Sequence, residues 1–471
     1  MKKTSLFALL AMLGNALAAQ VTILGINDMH ADVDNLPQLA SCLKAERAKN
    51  PNLLLLSAGD NRTGSPYVDS GEHPGAPMIQ LMNRLGFNLS TLGNHEFDSG
   101  VEALSYCLNL AEFPFVCANV KSSPEQALYL KPYHIFERDG VRIGVLGLVQ
   151  IGDNGMPDAH PDQVKTLQFR SPFETARDYA YLRKQCDILV LLTHMGFEDE
   201  VKLATQFPEA DVIIGGHSHT RVEKEHVVNG VLVTQTENKA KYLTKLTFDV
   251  EGGKILGRKF ELISLRSLPK DADMQAAVNK VKNNPYMTRR LTTIASDITN
   301  RESLGCLMAD ALRYSVQTDV AVVNMGNVRL ENLPAGEFRV EDCYRLDPFG
   351  NKSVVFNATG KELIAFLNAV PATDHHGAPC VSGIRYKAVK PAAELQPMRI
   401  TEITLTDGTP IDPDRYYTVV TNSYLMSTVS TLPADPGAAH DMDGARAIML
   451  YMDGKDSVDY SGVSNVEITI E

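Results

Sequence analysis

The 471-residue chain is long enough for two or three domains, and its 44% hydrophobic and 22% charged residues are the composition of a soluble globular protein. Its formal net charge of −12, without any long basic run, argues against nucleic acid or an anionic membrane as partner. A phosphorylated substrate would therefore need a locally positive site built from metals or converging arginines.

The chain opens on "MKKTSLFALLAMLGNALAAQ". Two lysines, a short apolar run and Ala16-Leu17-Ala18 form the pattern of an export signal spanning 1–18 and cleaved near Ala18. No later segment reaches transmembrane length, and the tail "VSNVEITIE" carries no hydrophobic anchor signal. An exported protein, periplasmic or secreted and without a membrane anchor, is expected. The seven cysteines (Cys42, Cys107, Cys117, Cys186, Cys306, Cys343 and Cys380) form no C-x-x-C pair. Most sit among apolar residues, which predicts buried free thiols rather than a disulfide framework.

Residues 19–265 read as the first domain. Its runs "VTILGIND", "LLLLSAGD", "RIGVLGLV", "DILVLLTHMG" and "DVIIGGHSHT" are short and continuously apolar, the signature of strands buried on both faces. Amphipathic stretches such as "NLPQLASCLKAERAK" and "SPFETARDYAYLRKQ" alternate with them, which predicts a layered α/β domain. Residues 266–292 read as a charged linker helix followed by Pro285. Residues 293–471 form a second, smaller α/β unit, with "TDVAVVNMG", "KSVVFNAT", "RITEITLTDG" and "RYYTVVTNSY" as strands around helices such as "SLGCLMADALRYSV".

Ligand-type side chains gather where the first-domain strands end. Asp28 and His30 follow the first run, Asp60 the second, His194 follows "ILVLLT", and His217 and His219 follow "DVIIGG". Asn94 and His95 leave the shorter "LSTLG" in the same way. In α/β sheets, ligands bind outside the carboxyl ends of strands, so these donors would converge on one edge. Imidazole, carboxylate and amide without thiolate suit divalent zinc, manganese or iron. One cation does not need eight donors. Two metals sharing a carboxylate do, and that pair is the layout for in-line phosphoryl displacement.

The segments "NDMH", "GDNRTGSP", "GNHEFD", "THMGFE" and "GGHSHT", in this order, resemble the calcineurin-like metallophosphoesterases. The forms "GSP" and "GNHEFD", with "RESLGCLMADAL", "NMGNVR" and "LDPFGN" further on, resemble the exported 5′-nucleotidase / UDP-sugar hydrolase branch. The resemblance implies a four-layer-type α/β metallophosphoesterase sandwich joined by the helical linker to a substrate-binding domain. It assigns Asp28, His30 and His219 to one divalent metal and Asn94, His194 and His217 to the other, with Asp60 bridging. His95 and Asp98 become a catalytic dyad, while Glu96 and Phe97 read as structural. In the second domain it places Asn324, Arg329 and Arg301 on the substrate's anionic groups, and Phe349 and Tyr424 on either side of a base.

One segment departs from the family. A "GGDG" stretch, whose Asp binds the ribose hydroxyls, is replaced by "STVST", which leaves Ser430 where that Asp should be. The implied activity is release of phosphate from nucleoside 5′-monophosphates. The alternatives are a cyclic-nucleotide or UDP-sugar hydrolase, or a phosphatase for another small phosphoester.

Overall fold

The computed structural model describes residues 19–124, 128–370, 377–390 and 398–471. The expected export signal at 1–18 lies outside the described residues. Each apolar run of the first half forms a strand, and these strands build two six-stranded sheets. In one, Ala19–Ile26, Leu54–Ser57, Leu89–Thr91 and Phe115–Val116 lie parallel, side by side. In the other, Val141–Val149, Ile188–His194, Val212–Ile214 and Val231–Thr234 do the same.

The sheets pack face to face. Ile23, Leu54 and Leu56 of the first share a buried core with Val190, Leu192 and Ile214 of the second. The opposite faces are covered by helices: Leu36–Lys49, Ala76–Leu85 and Gly100–Leu110 on the first sheet, Phe197–Gln206 on the second. Burial on both faces is why these strands read as unbroken apolar runs. The layers are helix, sheet, sheet, helix, as the resemblance implies.

Two local differences from the expected pattern have physical causes. The hairpin Tyr242–Glu251 and Lys254–Ser264 closes one edge of the first sheet and pairs antiparallel with Ala19–Ile26. Its outer strand alternates exposed and half-buried residues, and Gly252 and Gly253 turn the chain at φ 56° and 75°. That is the backbone a two-residue hairpin loop requires. The stretch "SPFETARDYAYLRKQ" is two short pieces, Pro172–Asp178 and a 3₁₀ turn Ala180–Lys184. It breaks at Tyr179, whose N–H bonds to Ala176.

Beyond the helix Ala272–Val281, a five-stranded sheet orders Cys380–Ser382, Val320–Val323, Tyr416–Asn422, Lys352–Thr359 and Ala438–Asp443. A smaller sheet sets Ile384–Lys390 between Arg399–Leu405 and Val466–Ile470. The long helix Arg301–Val316 packs on the five-stranded sheet. All seven cysteines are free and buried. Among the described residues no helix is long and apolar enough to cross a membrane.

Candidate metal centre

The carboxyl ends of the parallel strands in both sheets open on the same side of the sandwich. The first sheet contributes Asp28, His30, Asp60, Asn94 and His95; the second contributes His194, His217 and His219. Asp28, Asp60 and His194 are almost completely buried. Asp28, His30, Asp60, His217 and His219, five of the seven candidate ligands, hold left-handed backbone with φ between 47° and 82°. Such conformations cost about 1–3 kcal/mol each in residues other than glycine and persist where the surroundings over-determine them, commonly at functional sites.

The donor atoms fall into compact groups. Asp28, His30 and His219 form one, and Asp28, Asp60 and His194 another. His30 Nε2 lies 2.9 Å from His219 Nε2, and Asp28 Oδ1 lies 3.4 Å from the latter. Asp60 Oδ2 is 3.0 Å from His194 Nε2 and 3.8 Å from His30 Nε2, so it touches both groups, while Asp28 is a member of both. Asn94 Oδ1 meets His217 Nδ1 at 2.9 Å. His95 makes a third compact group with His30 and Asp60, its Nε2 being 3.9 Å from Asp60 Oδ2.

Second contacts aim these rings. His30 Nδ1 donates to the Thr63 carbonyl at 3.0 Å and His194 Nδ1 to that of Ala58 at 2.7 Å, which turns both Nε2 atoms inward. His219 Nδ1 is 3.0 Å from the Asn238 amide. His194 Nε2 is buried without a hydrogen-bond partner, although the Asp60 carboxylate is beside it. A buried ring nitrogen left without a hydrogen bond, among nitrogen and oxygen donors and no sulfur, fits a divalent cation.

The charges of this cluster act on one another at close range. Burial works against ionisation of Asp60, but His194 and His95 outweigh it and hold the carboxyl well below its ordinary range. Burial likewise opposes charge on His194, yet Asp60 and Asp28 push that imidazole up to about 10. Burial, with Arg329 next, holds His30 well below the ordinary imidazole value.

The crowded segment from Asn94 to Asp98 divides its work. His95 Nδ1 donates to Asp98 Oδ2 at 2.8 Å, and the Thr63 hydroxyl donates to that same oxygen at 2.7 Å. Glu96 is a scaffold: its buried carboxylate accepts from the backbone N–H groups of Gly93, Asp60 and Asn61 at 2.6, 2.9 and 2.8 Å. Gly93 has no alternative, because a Cβ there would stand 2.1 Å from Asp60 Oδ1. Glu96→Ala would orphan three buried donors at about 1–3 kcal/mol each. The expected result is a loss of at least about 3 kcal/mol of stability, read as a lowered urea midpoint.

Sequence reasoning passed over Thr63, whose carbonyl and hydroxyl serve two different site residues. It also passed over Glu200, which is pushed up to about 7 by burial and accepts from Gln235, Thr193 and the Gly216 N–H behind the histidines. Thr63's positive φ of 68° is a structural signal with no counterpart in composition.

From the second half, Arg329 reaches across the cleft until Nη2 is 3.3 Å from both ring nitrogens of His30. Its guanidinium lies 5.7 Å from the Phe349 ring, which itself lies 5.7 Å from His95. Arg301 spends Nε and Nη2 on the carbonyls of Met325 and Val328, so it props the loop that carries Arg329. Asn324 Oδ1 accepts from Asn422 at 2.9 Å. Tyr424 sits at the start of the helix Ser423–Thr428, its phenol pushed up to about 12 by burial and by the charges of Asp158 and Asp98. Ser430 is exposed beyond that helix.

Comparison with known proteins finds two families in succession along the chain. Residues 21–221 match the family described as calcineurin-like phosphoesterase, and residues 278–433 match the 5′-nucleotidase, C-terminal domain. The 5′-nucleotidase of Vibrio cholerae is 27% identical over 384 residues, 69% of this chain and 68% of that protein. Endonuclease YhcR of Bacillus subtilis is 27% identical over 95% of this chain, which spans only 39% of that protein's length. The crystal structure of a 5′-nucleotidase precursor from Thermus thermophilus superposes with a TM-score of 0.84 at 26% identity, covering 96% of this chain and 99% of that one. Calcineurin-like phosphoesterases work with divalent metal ions, and the donor set described above accommodates them. The chain belongs to the 5′-nucleotidase family of metal-dependent phosphoester hydrolases, with a calcineurin-like catalytic fold followed by a 5′-nucleotidase C-terminal domain.

Proposed function

We propose that the protein is an exported 5′-nucleotidase that uses two divalent cations. Asp28, His30 and His219 would hold one, Asn94, His194 and His217 the other, and Asp60 would be shared. A cation pair of this kind supplies a polarised water for attack on phosphorus and offsets charge on the phosphoryl oxygens. The observation that carries the reading is the convergence of Asp28, His30, Asp60, His194 and His219, from the strand ends of two sheets, in overlapping donor groups.

The chain's own residues then divide the remaining work. Asp98, steadied by the Thr63 hydroxyl, fixes the His95 ring so that Nε2 points into the site. His95 donates from there to the phosphoryl group as negative charge develops. Arg329 and Asn324 hold the anionic end of the substrate, Arg301 braces their loop, and Phe349 and Tyr424 take the base between them. With the chain divided into 19–265, a linker at 266–292 and a substrate domain at 293–471, this cleft lies between the two halves. Removal of residues 1–18 on export completes the reading. Names such as 5′-nucleotidase among the relatives support a nucleotide substrate.

The test is phosphate release by the purified protein across nucleoside monophosphates, cyclic nucleotides, UDP-sugars and sugar phosphates, with zinc or manganese supplied. Nucleoside 5′-monophosphates are expected to be the best substrates. Brisk turnover of sugar phosphates alone would refute the nucleotide assignment.

Ser430 adds a finer expectation. A charged hydrogen bond contributes about 1.5–3 kcal/mol against about 0.5–1.5 for a neutral one, so a neutral side chain should discriminate poorly between ribose and deoxyribose. Selectivity would rest on stacking, worth about 1–3 kcal/mol per base–aromatic contact in nucleic-acid binders. The ratio of kcat/KM for AMP and 2′-deoxy-AMP is expected near unity, rising about fivefold to tenfold in Ser430→Asp. Strong ribose preference in the wild type would mean that another residue makes this contact.

A further inference from the structure

We infer that Asp158 is a positioning residue for both Asn94 and His217. The inference rests on the reading of those two side chains as ligands of one cation. Asp158 lies in the segment that leaves the strand Val141–Val149, outside every motif that marks the site in the sequence. Its backbone N–H donates to Gln150 Oε1 at 3.0 Å, which fixes the turn against the end of that strand. Its carbonyl accepts from Asn94 Nδ2 at 3.1 Å. With the amide nitrogen held there, Asn94 Oδ1 is the atom that faces His217, 2.9 Å from Nδ1.

The Asp158 side chain acts on the other ligand. Its Oδ2 lies 3.6 Å from His217 Nε2, the ring nitrogen turned away from Asn94. A carboxylate on that side favours the tautomer with the proton on Nε2, which leaves the Nδ1 lone pair directed at Asn94 Oδ1. Carboxylates placed behind ligating histidines fix ring orientation and raise ligand basicity, and their loss commonly weakens metal binding about 10–100-fold. His30 and His194 are backed by neutral carbonyls and His219 by an amide, so His217 is the histidine of the four with a carboxylate on its outer nitrogen. The Asp158 side chain is 49% exposed, so folding does not depend on it as packing. One residue thus sets the geometry of two donors, through backbone for the first and side chain for the second.

The full chain, stripped of metal and titrated with zinc or manganese in competition with a chromophoric chelator, tests this role. Wild type is expected to take up two equivalents. Asp158→Ala should bind the first with wild-type affinity and the second about 10–100-fold more weakly. Asp158→Asn, which keeps an acceptor oxygen beside Nε2, should recover part of that loss. The melting temperature of the metal-free protein should be the same in all three. Two equivalents held at wild-type affinity by Asp158→Ala would overturn the inference while leaving the two-cation reading intact. Equal weakening of both equivalents with a lowered metal-free melting temperature would also overturn it, by making Asp158 a general structural residue. A wild type that takes up fewer than two equivalents refutes the two-cation reading itself, and the role of Asp158 with it.

Discussion

Asp60→Ala is expected to bring phosphate release to background and to lower bound metal by at least one equivalent. The carboxylate is buried, and its Oδ2 is within 3.0 to 3.9 Å of ring nitrogens of His194, His30 and His95. The neighbouring carboxylate, Asp28, lies farther from His194, its Oδ1 being 3.8 Å from that Nε2 and nearer to His219 and His30 at 3.4 and 3.7 Å. Asp60 also has a local structural duty, since its Oδ1 accepts from the His95 N–H at 2.9 Å. Asp60→Asn separates the two effects: it keeps an oxygen for that N–H and removes the charge. The Asn variant should fold like the wild type and remain inactive. Activity of Asp60→Asn near wild type, measured at saturating zinc or manganese, would show that the carboxylate charge is dispensable.

His95→Ala is expected to lower kcat by about 10²–10³, equivalent to about 2.7–4 kcal/mol, with bound metal nearly unchanged. The dyad geometry favours a role on the substrate over ligation, because Asp98 and Thr63 converge to fix the ring rather than to shield it. The opposing feature is equally concrete: His95 forms a compact donor group with His30 and Asp60. Metal analysis decides between them. A variant that loses an equivalent of metal would place His95 among the ligands and refute the transition-state role. Asp98→Asn should give a smaller loss than His95→Ala, since it weakens the orientation of the ring without removing it.

Much of the first half was legible because strands buried on both faces leave an unmistakable pattern, and because the candidate site residues sit immediately after those runs. "VTILGI" ends two residues before Asp28, and His194 is the last residue of its own strand. What escaped was whatever depends on residues distant in sequence. Nothing in "GDNRTGSP" reveals that the Thr63 carbonyl and hydroxyl serve His30 and Asp98, and nothing in "THMGFEDE" marks Glu200 as the buried acceptor behind Gly216. The hairpin Tyr242–Glu251 and Lys254–Ser264 escaped for another reason. Its strands carry Lys245, Lys259 and Glu261 between apolar residues, so they lack a continuous buried run. The resemblance places Arg301 on the substrate, whereas its engagement with the Met325 and Val328 carbonyls is a property of the folded loop that no motif carries.

The two-cation nucleotidase reading is tested most directly by stripping the purified protein of metal with EDTA, removing the chelator, and adding back zinc or manganese while phosphate release from AMP is followed. The expected result is no release from the stripped protein, and release that reaches its plateau only as the second equivalent per chain is bound. Full release from the stripped protein, or a plateau at one equivalent, would contradict it.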